Sequence, residues 1–479
     1  MFNAISSLYM PSYPSVLVYM LQNTEYQVWP YLKWYWRTQN FHKVIVRRKL
    51  EKTKAARLLD LSIRLIIVVE ILAGGFFIYL NQWHHTPGSL AFGLALIIGY
   101  PVVSAHLVAL VIWLGRVVWI MPRDERQIEQ SKQDFKNFKK PKIAVAGSYG
   151  KTSMKEMLLT VLSEGKKVAA TPANKNVAVS HARFISSIKG DEDILIIEYG
   201  EDRPGDIEKF VRVTRPTHGI ITGVAPAHLN HYKTLSAAGQ DIFTLAKYLG
   251  GKHVYVNAES EAAREFIEGD YGLYDAGGAL GWVVGDVKIS LKGTSFTLKK
   301  GKKLLKLHSQ LLGRHQLGPL SLAVALGEEF GLSDEQVEAG VGKTKPFEHR
   351  MNPYELNDAW IIDDTYNGNI EGIKAGAQLL KELKATRKWY VTPGLVDQGV
   401  ETETVHREMG ELIAGAGPDI AVLMQNSVTK FIKEGLEKAG FKGDLRIETD
   451  PLKFYTNLGD YLAADDLVLM QNDWPDNYA

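Results

Sequence analysis

The stretch Val145-Ala146-Gly147-Ser148-Tyr149-Gly150-Lys151-Thr152-Ser153 constrains this chain most, because the apolar run Ile143 to Val145 precedes it and a helical pattern, Thr152 to Ser163, follows. A short β-rich run, a glycine turn and a helix form one unit of a doubly wound parallel sheet, with the helix N-terminus facing an anion. Glycines let backbone N–H groups approach phosphate oxygens, Lys151 can reach the terminal phosphates, and Thr152 offers a hydroxyl to magnesium. The string is short, since Val145 stands where the longer G-x-x-x-x-G-K-[ST] pattern has its first glycine. A glycine turn with a solvated lysine is the bland alternative. The strand before and the helix after favour phosphate.

From Pro141 onward, short β-rich runs alternate with helical stretches, which predicts an α/β fold. Asp193 to Glu198 is a buried-type strand ending in a carboxylate, and ligand sites in open α/β sheets lie at the carboxyl ends of strands. Glu198 is therefore placed to hold a metal ion. Gly219 to Val224 leads to Ala227-His228-Leu229, which brings His228 to the same rim. Residues 280–310 read as a polar β-hairpin, Leu317 to Leu326 as an apolar helix, and Ile361-Ile362 as a strand end before the polar turn Asp363 to Asn369. Asp466 to Met470 reads as a last strand. The chain has no cysteine, so any metal must be held by oxygen or histidine. With 56 basic and 54 acidic residues, its net charge of +2 gives no global argument for a nucleic-acid partner.

Upstream the composition changes. Residues 1–58 carry aromatics (Tyr26, Trp29, Tyr31, Trp34, Tyr35, Trp36) and then bases (among them Arg37, Lys43, Arg47, Arg48 and Lys49), a mixture suited to a lipid headgroup region. A small soluble helical domain is the alternative. Leu61 to Leu80 and Leu90 to Ile120 are each long enough to span a bilayer, which takes ~20 apolar residues. The connection Asn81 to Gly88 has no Lys or Arg while both outer flanks do, so the positive-inside rule predicts a hairpin with both ends in the cytoplasm. Glu70 and His106, costly at mid-depth, are candidates to pair across it, and Pro101 to kink the second span or split it. Residues 121–140 read as a helical or flexible linker.

The ordered motifs from residue 141 to 479 resemble the Mur ligase family, and within it most closely the branch that adds D-alanyl-D-alanine. Gly147 to Ser153 is similar to the family's phosphate loop, with Tyr149 in place of asparagine. Thr171-Pro172-Ala173-Asn174-Lys175-Asn176 resembles its T-x-x-N-x-N segment, Glu198-Tyr199-Gly200 through Gly205-Asp206-Ile207 its E-x-G segment, Ala227-His228-Leu229 its A-H-L segment, and Asn257-Ala258-Glu259 its nucleotide-contacting N-x-[DE]. Arg314-His315-Gln316 opens a helix like the family's G-R-H-N-x-x-N, with Gln316 and Pro319 at the asparagine positions. Arg350 and Asp363-Asp364-Thr365-Tyr366-Asn367-Gly368-Asn369 match the arginine and the D-D-[ST]-Y-N-A-N loop of that branch, and Gly394 to Gly399, followed by His406, resembles a further family loop.

The resemblance implies an ATP-driven amide ligase working through an acyl phosphate, with ATP and Mg²⁺ as cofactors. It assigns Lys151, Glu198 and His228 to catalysis; Gly147 to Ser153, Asn257, Arg350 and Asp364 to the nucleotide; Asn174, Asn176, Tyr366 and Asn367 to substrate; and Thr152, Glu198 and His228 to metal. Its implied partners are a peptidoglycan precursor or related peptide, an amino acid or dipeptide, and, through the hairpin, membrane lipid. The expected organisation is an interface region (1–58), a transmembrane hairpin (59–120), a linker (121–140), a P-loop ATPase domain with a doubly wound parallel sheet (141–343) and a second, Rossmann-like α/β domain (344–479), multi-pass in the cell (inner) membrane with the catalytic domains cytoplasmic. Two departures stand out. No lysine near Ala238 to Phe243 matches the family's carbamylated lysine, Lys247 being displaced, and the membrane region stands in place of the usual UDP-binding domain. A ligase of the same fold acting on a poly-γ-glutamate or a non-muramyl peptide, and a catalytically idle nucleotide-binding scaffold, are the alternatives.

Overall fold

The computed structural model describes residues 5–24, 26–44, 50, 52–172, 175–226, 229–366, 368–396 and 398–472. Asn174, His228 and Asn367, and the basic residues Arg47, Arg48 and Lys49, lie outside the described residues. The chain divides into two compact units, Met1–Arg126 and Gln127–Ala479.

In the first unit, two short helices, Tyr13–Asn23 and Val28–Arg37, precede two long ones, Lys54–His84 and Ser89–Gly115. Tyr13, Leu17, Tyr31 and Tyr35 of the short helices share a core with Ile63, Ala105 and Val108 of the long ones. The Tyr13 hydroxyl donates to Pro101 O at 2.7 Å and that of Tyr31 to Ala105 O at 3.2 Å, so each buried phenol has an acceptor. Pro101 sits inside a helix that runs on past it and is neither split nor re-entrant. The expected Glu70–His106 pair is not made. Both Glu70 oxygens are buried without a hydrogen-bond partner, while His106 turns to Val102 O at 2.7 Å and against the Tyr35 and Trp36 rings. Both long helices are long and apolar enough to cross a membrane, with only 17% and 28% of their most apolar windows buried. The linker is helical, Met121–Asn137.

The second unit holds two sheets. Strands β1 (Lys142–Ala146), β2 (Val168–Ala170), β3 (Ile194–Glu198), β4 (His218–Ile221), β5 (Val254–Asn257) and β6 (Gly272–Asp275) pair in parallel in the order β2-β3-β1-β4-β5-β6. Side chains alternate across β1, as period two requires. Ile143 and Val145 pack with Met154, Leu158 and Val161 on one face, Ala144 and Ala146 with Phe135, Leu195 and Ile197 on the other. Burial on both faces is why these strands read as unbroken apolar runs, each large side chain contributing ~1.5–3 kcal/mol.

Residues 280–310 correct the expected hairpin. Strands β7 (Gly278–Ala279), β8 (Trp282–Ser290), β9 (Gly293–Lys300) and β10 (Lys303–Ser309) form an antiparallel meander that extends the same sheet to ten strands. Phe296, Leu298, Leu305 and Leu307 give β9 and β10 a buried face, which the lysines alternating with them obscure in the sequence. The second sheet, β11 (Asn352–Leu356), β12 (Ala359–Asp364), β13 (Arg387–Thr392), β14 (Ile420–Met424), β15 (Asp444–Glu448) and β16 (Asp466–Gln471), has the order β11-β12-β16-β13-β14-β15 and is parallel except at β11.

Candidate active site

Pairing register places the glycine loop. Val145 lies opposite Glu198 on β3 and Ala146 opposite Ile221 on β4, so the chain leaves β1 between the carboxyl ends of both neighbours. Gly147 has φ +139°, and a Cβ there would meet Thr222 Oγ1 at 2.3 Å, so no other residue fits without moving β4's exit. Ser148 N donates to Gly223 O at 2.9 Å, and the Thr222 hydroxyl contacts Ala146 O at 3.1 Å and Tyr149 O. The Tyr149 ring lies on Gly223, where a Cβ would meet it at 2.3 Å. Burial pushes the Tyr149 phenol up to about 12. Helix Lys151–Leu162 starts at Gly150 with its first N–H groups at this rim.

Behind the loop is a web of charge. Lys151 Nζ lies 2.8 Å from Glu201 Oε2 and donates to Gly147 O at 2.5 Å. Thr152 Oγ1 donates to Glu198 Oε1 at 3.0 Å, and Asn176 Nδ2 reaches the same oxygen at 3.4 Å. Lys155, fully buried, lies 3.2 Å from Glu198 Oε2 and donates to Thr171 O at 2.9 Å. One turn separates Lys151 from Lys155, so both ammonium groups leave the same face of the helix. His181 holds the Glu198 carbonyl through Nε2 at 2.8 Å, and burial lowers it to about 4, so it stays neutral at physiological pH. The Thr152 hydroxyl and the Glu198 carboxylate are adjacent hard oxygen donors, which fits Mg²⁺.

A cavity of 590 Å³ opens beside the loop, lined from the first sheet by Tyr149, Gly150, Ser153 and Asn257 and from the second by Arg350, Asp364 and Tyr366. Asn257 ties two strands together, its Nδ2 donating to Thr222 O at 3.0 Å while its Oδ1 accepts from Glu259 N at 3.0 Å. The Arg350 guanidinium lies 4.6 Å over the Tyr366 ring. Asp364 accepts from Met351 N at 3.2 Å and Gln471 Nε2 at 2.8 Å, and burial pushes its carboxyl up to about 7. His315 also lines the cavity, lowered to about 4 by burial, with Gln316 Nε2 2.7 Å from its Nε2.

The residues named from sequence thus fall into three groups. Gly147 to Ser153, Glu198 and Asn176 gather at the rim of β1 and β3, while Asn257, Arg350 and Asp364 meet the loop across the cavity. Tyr366, assigned to substrate by resemblance, lines that same cavity. Asn174, His228 and Asn367 are outside the described residues. Lys247 is exposed on helix Thr244–Leu249. Sequence reading missed Lys155 and Glu201. The signal for Lys155 was its four-residue spacing from Lys151 on a helix packed against β3.

Comparison with known proteins finds likenesses over much of this unit. Residues 145–327 match the Mur ligase middle domain. The UDP-N-acetylmuramoyl-tripeptide–D-alanyl-D-alanine ligase of Escherichia coli (strain K12) is 26% identical over 287 residues, 58% of this chain and 63% of that protein. The enzyme of the same name from Bacillus subtilis (strain 168) is 27% identical over 333 residues, 67% of this chain and 69% of its own length. The chain therefore spans a little under to a little over two thirds of these relatives. A crystal structure of MurF ligase from Thermotoga maritima in complex with ADP has the same fold, with a TM-score of 0.64 at 20% identity, covering 74% of this chain and 81% of that one.

Proposed function

The chain carries a Mur ligase middle domain at residues 145–327, and from that premise we propose that it is an ATP-dependent amide ligase that adds D-alanyl-D-alanine to a peptidoglycan precursor at a membrane surface. One observation carries this reading: Lys151, Thr152 and Glu198 meet at one strand rim, beside a cavity that also takes Arg350 and Asp364 from the second sheet. The names of the relatives supply the dipeptide and the muramoyl tripeptide.

In this reading a substrate carboxylate oxygen bonds to the γ-phosphorus of ATP as ADP leaves. The amine nitrogen then attacks the acyl carbon, inorganic phosphate departs, and the nitrogen's proton passes to solvent. Lys151 exchanges the Glu201 carboxylate for phosphate oxygens and stabilises charge on the transferring group. The loop amides of Gly147 to Ser153 orient the phosphates. Asp364 accepts from ribose hydroxyls, and Arg350, steadied on Tyr366, meets phosphate from the far side. Thr152 and Glu198 would hold Mg²⁺, with His228 assigned to the same role by resemblance; the ion supplies charge neutralisation at the phosphates. The resemblance assigns Asn174, Asn176 and Asn367 to the peptide substrate. The two long, weakly buried apolar helices anchor the enzyme, with the catalytic unit in the cytoplasm where ATP is found.

The test is phosphate release by the detergent-purified full chain given ATP, Mg²⁺, UDP-N-acetylmuramoyl tripeptide and D-alanyl-D-alanine. Release that depends on both acceptor and dipeptide, with a product heavier by the dipeptide less water, is expected. Release indifferent to every amine would overturn the ligase reading, and ligation of a different amine would overturn the dipeptide.

A further inference from the structure

The amino-terminal ends of the same parallel strands carry a second cluster. His218 is the first residue of β4, His253 immediately precedes β5, and Glu329 is the last residue of helix Leu317–Glu329. His218 Nε2 lies 3.4 Å and His253 Nδ1 3.6 Å from Glu329 Oε1, and the three ligand atoms all lie within 4.8 Å of one another. Ligands at ~2.0–2.1 Å from a tetrahedral ion stand about 3.4 Å apart. We propose that His218, His253 and Glu329 form a binding site for one borderline divalent metal ion of the zinc class, at the opposite end of the sheet from the phosphate loop.

The surroundings are those of a built site. The Thr217 hydroxyl lies 2.8 Å from His218 Nδ1, accepts from Lys142 N at 2.9 Å and can donate to Lys142 O at 3.2 Å. With its own proton on Lys142 O, the Thr217 hydroxyl accepts a hydrogen bond from His218 Nδ1–H, and in that tautomer the Nε2 lone pair faces Glu329. Two electron-rich atoms then oppose each other unless a cation sits between them. Tyr255 Oη donates to Glu329 Oε2 at 2.9 Å, which aims Oε1 at the histidines. The Phe330 ring packs edge-on against His218 at 5.3 Å. His218 is 9% exposed, whereas Glu329 is 36% and His253 56% exposed, so one ligand is fixed in the sheet and the open side admits an ion and a water as fourth ligand. All three residues sit on or beside regular elements, and the helix C-terminus adds negative potential. An ion here ties β4 and β5 to the helix whose first turn, through Pro319, lines the nucleotide cavity.

The test uses the tag-free full chain in detergent, with excess Mg²⁺ to occupy oxygen-donor sites, titrated with Co²⁺ and then Zn²⁺. One equivalent of Co²⁺ should give the visible absorption of a four-coordinate nitrogen–oxygen site, displaced by Zn²⁺, and Zn²⁺ should raise the melting temperature. His253→Asn tolerates the local φ of +52°, and Glu329→Gln keeps the shape of the side chain. Each should abolish the absorption and the Zn²⁺ shift. Tyr255→Phe should weaken binding by roughly 10–100-fold, the usual effect of an outer-shell partner. An absent signal in the parent, or equal Co²⁺ binding by parent and both variants, would mean that the cluster is an ion pair only.

Discussion

Glu198 and Asp364 occupy the same topological position in two different sheets, and their surroundings are opposite. Each ends a parallel strand, Glu198 beside Val145 and Asp364 beside Gln471. Around Glu198 are the Lys155 ammonium, the Thr152 hydroxyl and the Asn176 amide. Around Asp364 the direct partners are neutral, the Met351 N–H and the Gln471 amide, and burial outweighs the pull of Arg350. One carboxylate carries its own counter-cation. The other is poised near neutrality and gains charge when a ligand donates hydrogen bonds to it, as a ribose hydroxyl does.

Removing the cation tests the first half of the comparison and has the largest expected effect. Lys155→Met leaves Glu198 buried without its partner and should cost about 3–5 kcal/mol in denaturant unfolding, the usual result of breaking a buried pair from one side. Arg350→Met, on the Asp364 side, should cost far less, because its guanidinium is half-buried and stacks on a ring. Equal losses would erase the distinction. Lys151→Ala comes next: without its ammonium, ligation should fall by about 10²–10³ in kcat, the usual cost of losing one donor to transition-state charge. Stability should fall as well, because Lys151 is the cation paired with the buried Glu201 carboxylate, so turnover is read per folded molecule. Retained turnover would remove Lys151 from the chemistry.

The same contrast explains what was legible in the sequence. Gly147 to Ser153 and Glu198 could be read because each motif is local: an apolar strand, then a polar residue at the carboxyl end. The parallel pairing of β1 to β6 follows from alternating elements, whereas the meander β7 to β10 hides its buried face among lysines. The neutral setting of Asp364 was not legible, since Gln471 arrives from a strand more than a hundred residues away. Lys155 looked like any solvated helix lysine until β3 packed over it. The cost of a polar group at mid-depth made Glu70 and His106 candidates to pair, yet Tyr35 and Trp36 of the upstream helix pack against His106.

Asp364→Asn probes the other half. Its carboxyl is raised from 3.8 to about 7, so the folded chain holds a proton that the unfolded chain has lost between those values. Stability therefore falls as pH rises from about 4 to about 7, and the ionised form carries the full penalty above that. The asparagine variant escapes it, at the cost of about 1 kcal/mol for the amide now facing Gln471. Relative to the parent it should be slightly less stable at pH 4 and more stable at pH 8, measured by denaturant midpoints. A difference that does not change with pH would show that Asp364 is ionised throughout, like a residue with a built-in cation.

The smallest effect belongs to Tyr149, which lines the same cavity as Asp364. Its ring covers Gly223 at the loop while Glu371 and Lys374 act on its phenol from the second sheet's side. With the phenol at about 12, the hydroxyl is neutral throughout the working pH range and serves as a hydrogen-bond partner of Ser260. Ser260 keeps its contacts to Val224 N at 3.0 Å and Val224 O at 3.3 Å if that hydroxyl is lost. Tyr149→Phe should therefore cost about 0.5–1.5 kcal/mol in stability and leave the KM for ATP within a few-fold, because the covering ring remains. A large rise in KM would mean that the hydroxyl itself contacts the nucleotide, so that recognition is shared between the loop and Asp364 instead of resting on the second sheet.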